Sequence, residues 1–505
     1  NNALQKSQDR LTKSIARLSS GYKINSSSDD AAGYAISEKM RLQLRGLNQA
    51  DNNAADGVSV LHTAEGAMEE IQSMLARMKE LSVQAANGTN SVDERSAIQS
   101  EIDSLNSEID RISSNTEFNS QTLISGNLSR RVYSNYEGVN QIEVSDNFVA
   151  GNYGITITQD ARQAIVVGNG AVTMSDTATV TKEQAGTISM NGYGIEISEG
   201  DTLAGIMGKL VDGADKIGGR VFAITAGATN DTKVNGTDYA GYEPQTSYAG
   251  NNIVFMTKES GSSKTMNITC SNAELANMLG IATAATNSGM YAEGSDVQAE
   301  FTLDNDGKRV GFADSAVIST SGTRVTVKDV NNRTFVTDVP SNVAGTQFSD
   351  TVKADDKSTA TSTQTAKVTQ EVTDVGTMSV HVGANENQVI LIDIPAVTSY
   401  TLGTENLNVM TSVTASEAID TIDTAVAYAN RVRSQMGAYE NRFEHTTNNL
   451  GTASENLTSA ISTMTDTDMA EEMTEYTSLN VMTQAATSIL AQANERPSTV
   501  LQILQ

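Results

Sequence analysis

Few side chains in this sequence are of the types that carry out chemistry, and their spacing gives them little to do. Three histidines, His62, His381 and His445, lie far apart along the chain. A catalytic or metal-bound histidine needs a second ligand or base at short, fixed spacing, as in HExxH or paired Cys/His motifs, and no such pattern occurs. There is no GxxxxGKS/T loop to cradle phosphate and no GxSxG elbow to present a serine. The one cysteine, Cys270, excludes an internal disulfide. With no base beside it in sequence, it reads as an inert, buried thiol. "SSSDD" at Ser26 to Asp30 could be drawn as a cation site. The simpler reading places Asp29 and Asp30 at the start of a helix, where carboxylates satisfy free N–H groups and the helix dipole. No catalytic residue, no cofactor and no metal are therefore expected.

These residues sit in a chain of 505 residues with 61 acidic and 34 basic side chains, a net charge of −27. Such a surface repels nucleic-acid phosphates and anionic membranes, so neither is expected as a partner. Tryptophan is absent and 5% of residues are aromatic, which argues against an enclosed ligand pocket. No run approaches the ~20 apolar residues of a membrane-spanning helix. No signal peptide is expected, and "NNALQKSQDRL" reads as the middle of an element. Four prolines in the whole chain suit long, uninterrupted helices.

Helical spacing dominates both ends. Leu4, Leu11, Ile15 and Leu18 share one face of a first helix. After the polar stretch "SSGYKINSSSDDAAG" a longer pattern runs through Leu44, Leu47, Leu61, Met68, Leu75 and Met78. Gly88 stops it, and Ser91 with Glu94 forms a capping-box pattern for a helix carrying Ile98, Ile102, Leu105 and Ile109. Near the other end Ile422, Val432, Tyr439, Phe443, Leu450 and Leu457 keep the same spacing, a coiled-coil seam, and another helix is expected over Met469 to Ala493. The middle, about 126–377, is rich in Thr, Gly, Asn and Ser with short alternating runs. Asn191-Gly192 and Asp306-Gly307 read as hairpin turns, and Asp201 to Leu210 as a short helix. The predicted fold is α + β and multidomain, with long antiparallel coiled-coil helices from both termini and an inserted β-rich region. Neither end can bury its seam alone, and each buried Leu or Ile contributes roughly 1.5–3 kcal/mol. The ends must therefore pair into a helical rod bearing the insertion.

The quoted stretches "RLSSGYKINSSSDDAAGYAISEKM", "GLNQADNNAADGVSVLHTAEGAMEEI", "MGAYENRF", "TDTDMAEEM" and "LAQANERPSTVLQILQ" resemble bacterial flagellin, the subunit of the flagellar filament. The resemblance covers about residues 1–125 and 378–505. A dozen or so residues of the family's start are missing before Asn1. The resemblance implies an inner helical domain of 1–31 with 466–505 and an outer-tube helical rod of 32–125 with 378–465. A variable β-rich region, 126–377, then forms one or two outer domains, the latter divided near 250.

The same resemblance implies a non-enzymatic structural subunit that polymerises with itself for swimming motility. It implies unfolded passage through the flagellar type III export channel and an extracellular place in the filament. Partners implied are an export chaperone and the filament cap and hook-associated proteins. Toll-like receptor 5 is implied as a contact of Arg77, Leu81 and Glu101, which on their own read as two helix charges and a seam residue. Leu501, Ile503 and Leu504 are similar to the terminal segment that NAIP-type sensors read, and structurally they would line the inner channel. Alternatives are a hook–filament junction protein, which shares the terminal helices, and an insertion acting as an adhesin or glycan-bearing module. A protease insertion is disfavoured by the missing HExxH.

Overall fold

The computed structural model describes residues 2–145, 148–225, 247–281, 289–329, 333–341, 343–344, 347–348, 360–362 and 365–503. The helices are α1 (Asn2–Ser20), α2 (Ala31–Ala86), α3 (Val92–Asn115), α4 (Leu203–Lys216), α5 (Ala273–Met278), α6 (Ser399–Leu402), α7 (Ser412–Thr465) and α8 (Met469–Ile503). The described strands all fall between Glu117 and Ile392, so the fold is mixed α and β, helical at both ends and β-rich between. Helix α3 opens with the expected capping box: Glu94 N–H donates to Ser91 Oγ at 3.3 Å, and Ser91 N–H to Glu94 Oε2 at 2.7 Å. Helix α8 runs past Ala493 to Ile503. An established helix extends at little cost where a new one would not nucleate, so the sequence pattern ends before the helix does.

The chain divides into two units. The first comprises Asn1–Ser59, Ser379–Leu391 and Ala438–Gln505. Here α1 runs antiparallel to α8, with ion pairs Arg10–Glu475 at 2.9 Å and Arg17–Glu472 at 3.7 Å. The early turns of α2 run antiparallel to the late turns of α7, Asn48 meeting Ser454 at 3.1 Å and Gly57 facing the Phe443 ring. A hairpin of Met378–His381 and Val389–Ile392 is tied to α2 where Asn53 Nδ2 donates to His381 O at 2.9 Å. The two polar connectors pair with each other. Lys23 N–H donates to Thr465 O at 2.6 Å and Thr467 N–H to Gly21 O at 3.0 Å, with Gly21 at φ +78°. Asp30 caps α2 as expected, accepting from Ala32 N–H at 3.0 Å. Asp29 instead turns back to the N–H groups of Asn25 and Ser26, at 3.3 and 3.2 Å. A carboxylate just outside a helix serves whichever free N–H groups lie closest.

The second unit comprises Val60–Met378 and Ile392–Gly437. Later turns of α2, early turns of α7 and α3 form a bundle. Leu61, Met68, Ile71, Leu75 and Met78 of α2, Ile102 and Ile109 of α3, and Ile422, Ala429 and Val432 of α7 are all buried. Polar rungs flank the seam: Gln72–Asn430 at 2.6 Å, Lys79–Asp423 at 2.5 Å and Arg433–Glu65 at 3.2 Å. Rising along α2 while falling along α7, they show the antiparallel register.

Among the described residues the β-rich insertion of this unit holds two large hydrophobic cores, one nested in the other along the chain, and a small third cluster of Ile165, Phe222, Ile224, Val254 and Met256. The inner core draws on residues 164–292. Its four-stranded sheet has the order Met290–Glu293, Thr265–Cys270, Gly186–Met190, Tyr193–Ile197, and α4 packs against Tyr193–Ile197 and Gly219–Thr225. The expected Asn191-Gly192 turn is present, with φ of +49° and +87°. The surrounding core draws on residues 139–161 and 297–372, centred on Phe148, Tyr153, Phe312 and Phe335. At Asp306-Gly307 the turn forms, but its limbs join in a single bridge, Leu303 with Arg309. The chain passes into the inner core and out again at one place: Arg162 and Ser295 exchange backbone hydrogen bonds of 2.8 and 2.9 Å. Helix α7 is fastened to the insertion by Arg431, bidentate on the buried Glu143 at 2.8 and 3.2 Å. Nearer the start of α7, Glu417 lies 4.0 Å from Lys264, which also pairs with Glu259 at 2.8 Å.

Candidate assembly surfaces

The seam residues expected from sequence separate by unit. In the second unit Leu61, Leu75, Ile98, Ile102 and Val432 are buried and Leu105 half-buried. In the first, Tyr439, Phe443 and Leu450 are buried, whereas Leu44, Leu47 and Leu457 are half-exposed. A two-helix stretch cannot enclose a stripe that three helices would cover. Leu47, Leu450 and their neighbours Asn48, Asp51, Ser454 and Glu455 line an open groove of about 580 Å³.

The first unit also exposes apolar side chains that the spacing argument did not single out. On α1, Ile15 is 48% exposed although it shares a face with the half-buried Leu11 and Leu18, which corrects the expectation that all three are covered. Leu42 on α2 is 64% exposed, and on α8 Val481 and Ile489 are 61% and 65% exposed. Helix α8 carried the signal: Met469, Met473, Leu479, Val481, Met482 and Ile489 do not fit one narrow stripe. A helix apolar on more than one side has more than one surface to cover. Leu501 and Ile503 lie within the helical backbone of α8, and Leu504 lies outside the described residues.

Comparison with known proteins fits this construction. The profile of the bacterial flagellin N-terminal helical region matches residues 1–129, and that of the C-terminal helical region matches residues 419–504. The flagellin of Clostridium tyrobutyricum is 32% identical over 98% of this chain and 97% of its own. A flagellin of Salmonella typhimurium is 30% identical over 100% of this chain and 97% of its own. The chain belongs to the bacterial flagellin family. Among solved structures, the flagellar hook associated protein-3 of Legionella pneumophila aligns with 85% of this chain and 98% of its own at 12% identity. The TM-score of that alignment is 0.28.

Flagellin is a structural protein of the extracellular flagellar filament and not an enzyme, and this flagellin is accordingly a filament subunit. Among the described residues, no helix is long and apolar enough to cross a membrane. Cys270 is half-buried and donates to Asn272 O at 3.2 Å, and desolvation pushes its thiol up, away from the reactive thiolate. The three residues matched to a receptor contact differ in access. Arg77 and Glu101 are exposed and joined at 2.9 Å across α2 and α3, with Glu80 also on Arg77 at 3.2 Å. Leu81 is 2% exposed and belongs to the bundle core.

Proposed function

We propose that this flagellin polymerises through the surfaces its first unit leaves open. The observation that carries the reading is the exposure of Ile15, Leu42, Val481 and Ile489 on helices that bury other apolar residues, such as Ala54 on α2 and Leu479 on α8. Burying four such side chains between copies would contribute roughly 1.5–3 kcal/mol each, enough to bias a repeated contact. A head-to-tail contact between identical subunits yields an open helical polymer when its rotation does not close into a ring. In this reading 1–31 with 466–505 form the inner layer and 32–125 with 378–465 the outer tube, while 126–377 projects outward. The subunit is exported unfolded with the help of a chaperone, which a chain with one cysteine and four prolines suits. The polymer meets the cap and hook-associated proteins at its ends.

The test is seeded polymerisation followed by sedimentation and electron microscopy. Val481→Asp and Ile489→Asp are expected to leave the monomer's circular dichroism unchanged and to abolish the sedimentable filament. Filaments formed by both variants as readily as by the parent would overturn the reading.

Recognition by Toll-like receptor 5 belongs to the same reading, with Arg77 and Glu101 as the contacting groups and Leu81 holding their helices together from beneath. The terminal Leu501, Ile503 and Leu504 are then the segment for NAIP-type sensors. Receptor-reporter activation should fall for Arg77→Ala with the fold intact; unchanged activation by that variant would remove the receptor contact.

A further inference from the structure

Four Asn-Gly steps occur in the chain, at Asn87, Asn169, Asn191 and Asn235, the last outside the described residues. Asn-Gly is the step most open to spontaneous deamidation, because glycine has no Cβ to shield its nitrogen and its backbone turns freely. In that reaction the glycine nitrogen attacks Cγ of the asparagine. A C–N bond forms to Cγ, the Cγ–Nδ2 bond breaks, and the departing NH2 takes the proton lost by the glycine nitrogen and leaves as ammonia, giving a cyclic succinimide. Water then opens the ring at either carbonyl, leaving aspartate or isoaspartate. The reaction needs a mobile carboxamide and an unengaged glycine N–H.

The fold treats the three described steps differently. At Asn191 the carboxamide is pinned at both ends: Oδ1 accepts from Asn267 N–H at 2.7 Å and Nδ2 donates to Thr265 O at 2.8 Å. At Asn169 the nucleophile is engaged, since Gly170 N–H donates to Gly280 O at 3.2 Å. At Asn87 neither restraint holds. Its carboxamide accepts one long bond, from Thr89 N–H at 3.3 Å, and Nδ2 donates to nothing among the described residues. Gly88 N–H likewise meets no acceptor there, and both residues are exposed.

We propose that, of the three described Asn-Gly steps, Asn87-Gly88 is the one at which the folded chain ages, deamidating through a succinimide while Asn169-Gly170 and Asn191-Gly192 are protected by their hydrogen bonds. This goes beyond the assembly reading and does not depend on it. The turn has something to lose. Arg95 bridges two carbonyls across it, Nε to Ala85 O at 2.9 Å and Nη2 to Asn87 O at 3.0 Å, and Asn90 N–H adds a bond to Asn87 O at 3.2 Å. Isoaspartate reroutes the main chain through the former side-chain carbons and turns the Asn87 carbonyl that Arg95 and Asn90 hold into a free carboxylate, so those bonds no longer restrain the path of the chain to Gly88. The α2–α3 connection then loosens beside the Ser91 and Glu94 cap.

The experiment incubates the purified full chain at mildly alkaline pH, folded and in urea. Tryptic peptides are then followed by mass spectrometry, with fragmentation that separates aspartate from isoaspartate. In the folded chain the Glu80–Arg95 peptide should convert roughly tenfold faster than the peptides holding Asn169 and Asn191, the factor that about one net hydrogen bond supplies. In urea the three should convert at similar rates. Gly88→Ala fits the turn, with no atom within 4 Å of the added Cβ, and should suppress conversion at Asn87. Equal rates for the three peptides in the folded chain, or undiminished conversion in Gly88→Ala, would overturn the proposal.

Discussion

The Phe443 ring occupies the space that a side chain at position 57 would need: a Cβ on Gly57 would lie 2.9 Å from Phe443 Cζ. A glycine inside a helix is less favourable than alanine by roughly 0.5–1 kcal/mol, so the ring's burial must more than offset that loss. Phe443→Ala should lower stability by about 3–5 kcal/mol, the range for emptying a buried aromatic site. Gly57→Ala should also destabilise, through the clash, despite its better helix propensity. Thermal unfolding followed by circular dichroism checks both signs.

The cap of α3 offers a milder test. Removing the Ser91 hydroxyl leaves Glu94 N–H without its partner, and Ser91→Ala should cost about 1 kcal/mol. Ser91→Asp should recover most of it, since a carboxylate accepts the same bond and suits the helix dipole. Chemical denaturation of the three proteins in parallel would show the order.

Glu417 gives a pH dependence of one sign. Burial raises its carboxyl above the usual range and Glu259 adds repulsion, while Lys264 partly offsets both. The folded chain therefore holds this proton more tightly than the unfolded chain, so stability is fullest below the ordinary glutamate value and is lost as pH rises through the raised folded value. Glu417→Gln should raise the melting temperature at neutral pH. The gain should disappear on acidification, as the native carboxyl becomes neutral too.

Asp201 gives the opposite sign. The Lys209 ammonium at 2.6 Å and Ser198 N–H at 2.8 Å hold its carboxyl below the usual range. Its contribution is complete above the ordinary aspartate pKa and fades as pH falls through the lowered folded value. Asp201→Asn should destabilise at neutral pH and matter progressively less in acid. Melting curves across an acid series would read the difference.

The helical ends were legible because helix periodicity is local: apolar residues three and four apart declare a buried face whatever it meets. Leu61, Leu75, Ile102 and Phe443 are buried where that rule puts them. The rule says nothing about the opposite face or about how much of a face the partner covers, so neither the exposure of Val481 nor that of Ile15 was visible. Nor does it give depth, and Leu81 looks no different from half-exposed Leu105 in sequence. In the β-rich part the Asn191-Gly192 turn was legible for the same local reason. The nesting of its two cores was not, because it rests on distant pairings such as Phe335 with Val144 and Val372 with Val132. Asp29 shows the limit at a single side chain: its type predicts acceptance of free N–H groups, and only the folded loop decides which.

The bridge between Arg162 and Ser295 gives the inner core a single doorway. Because entry and exit are neighbours, everything between them forms a cassette that can be shortened, enlarged or exchanged without shifting the register of the strands that frame it. A lineage could vary the chain there while the strands on either side keep their partners.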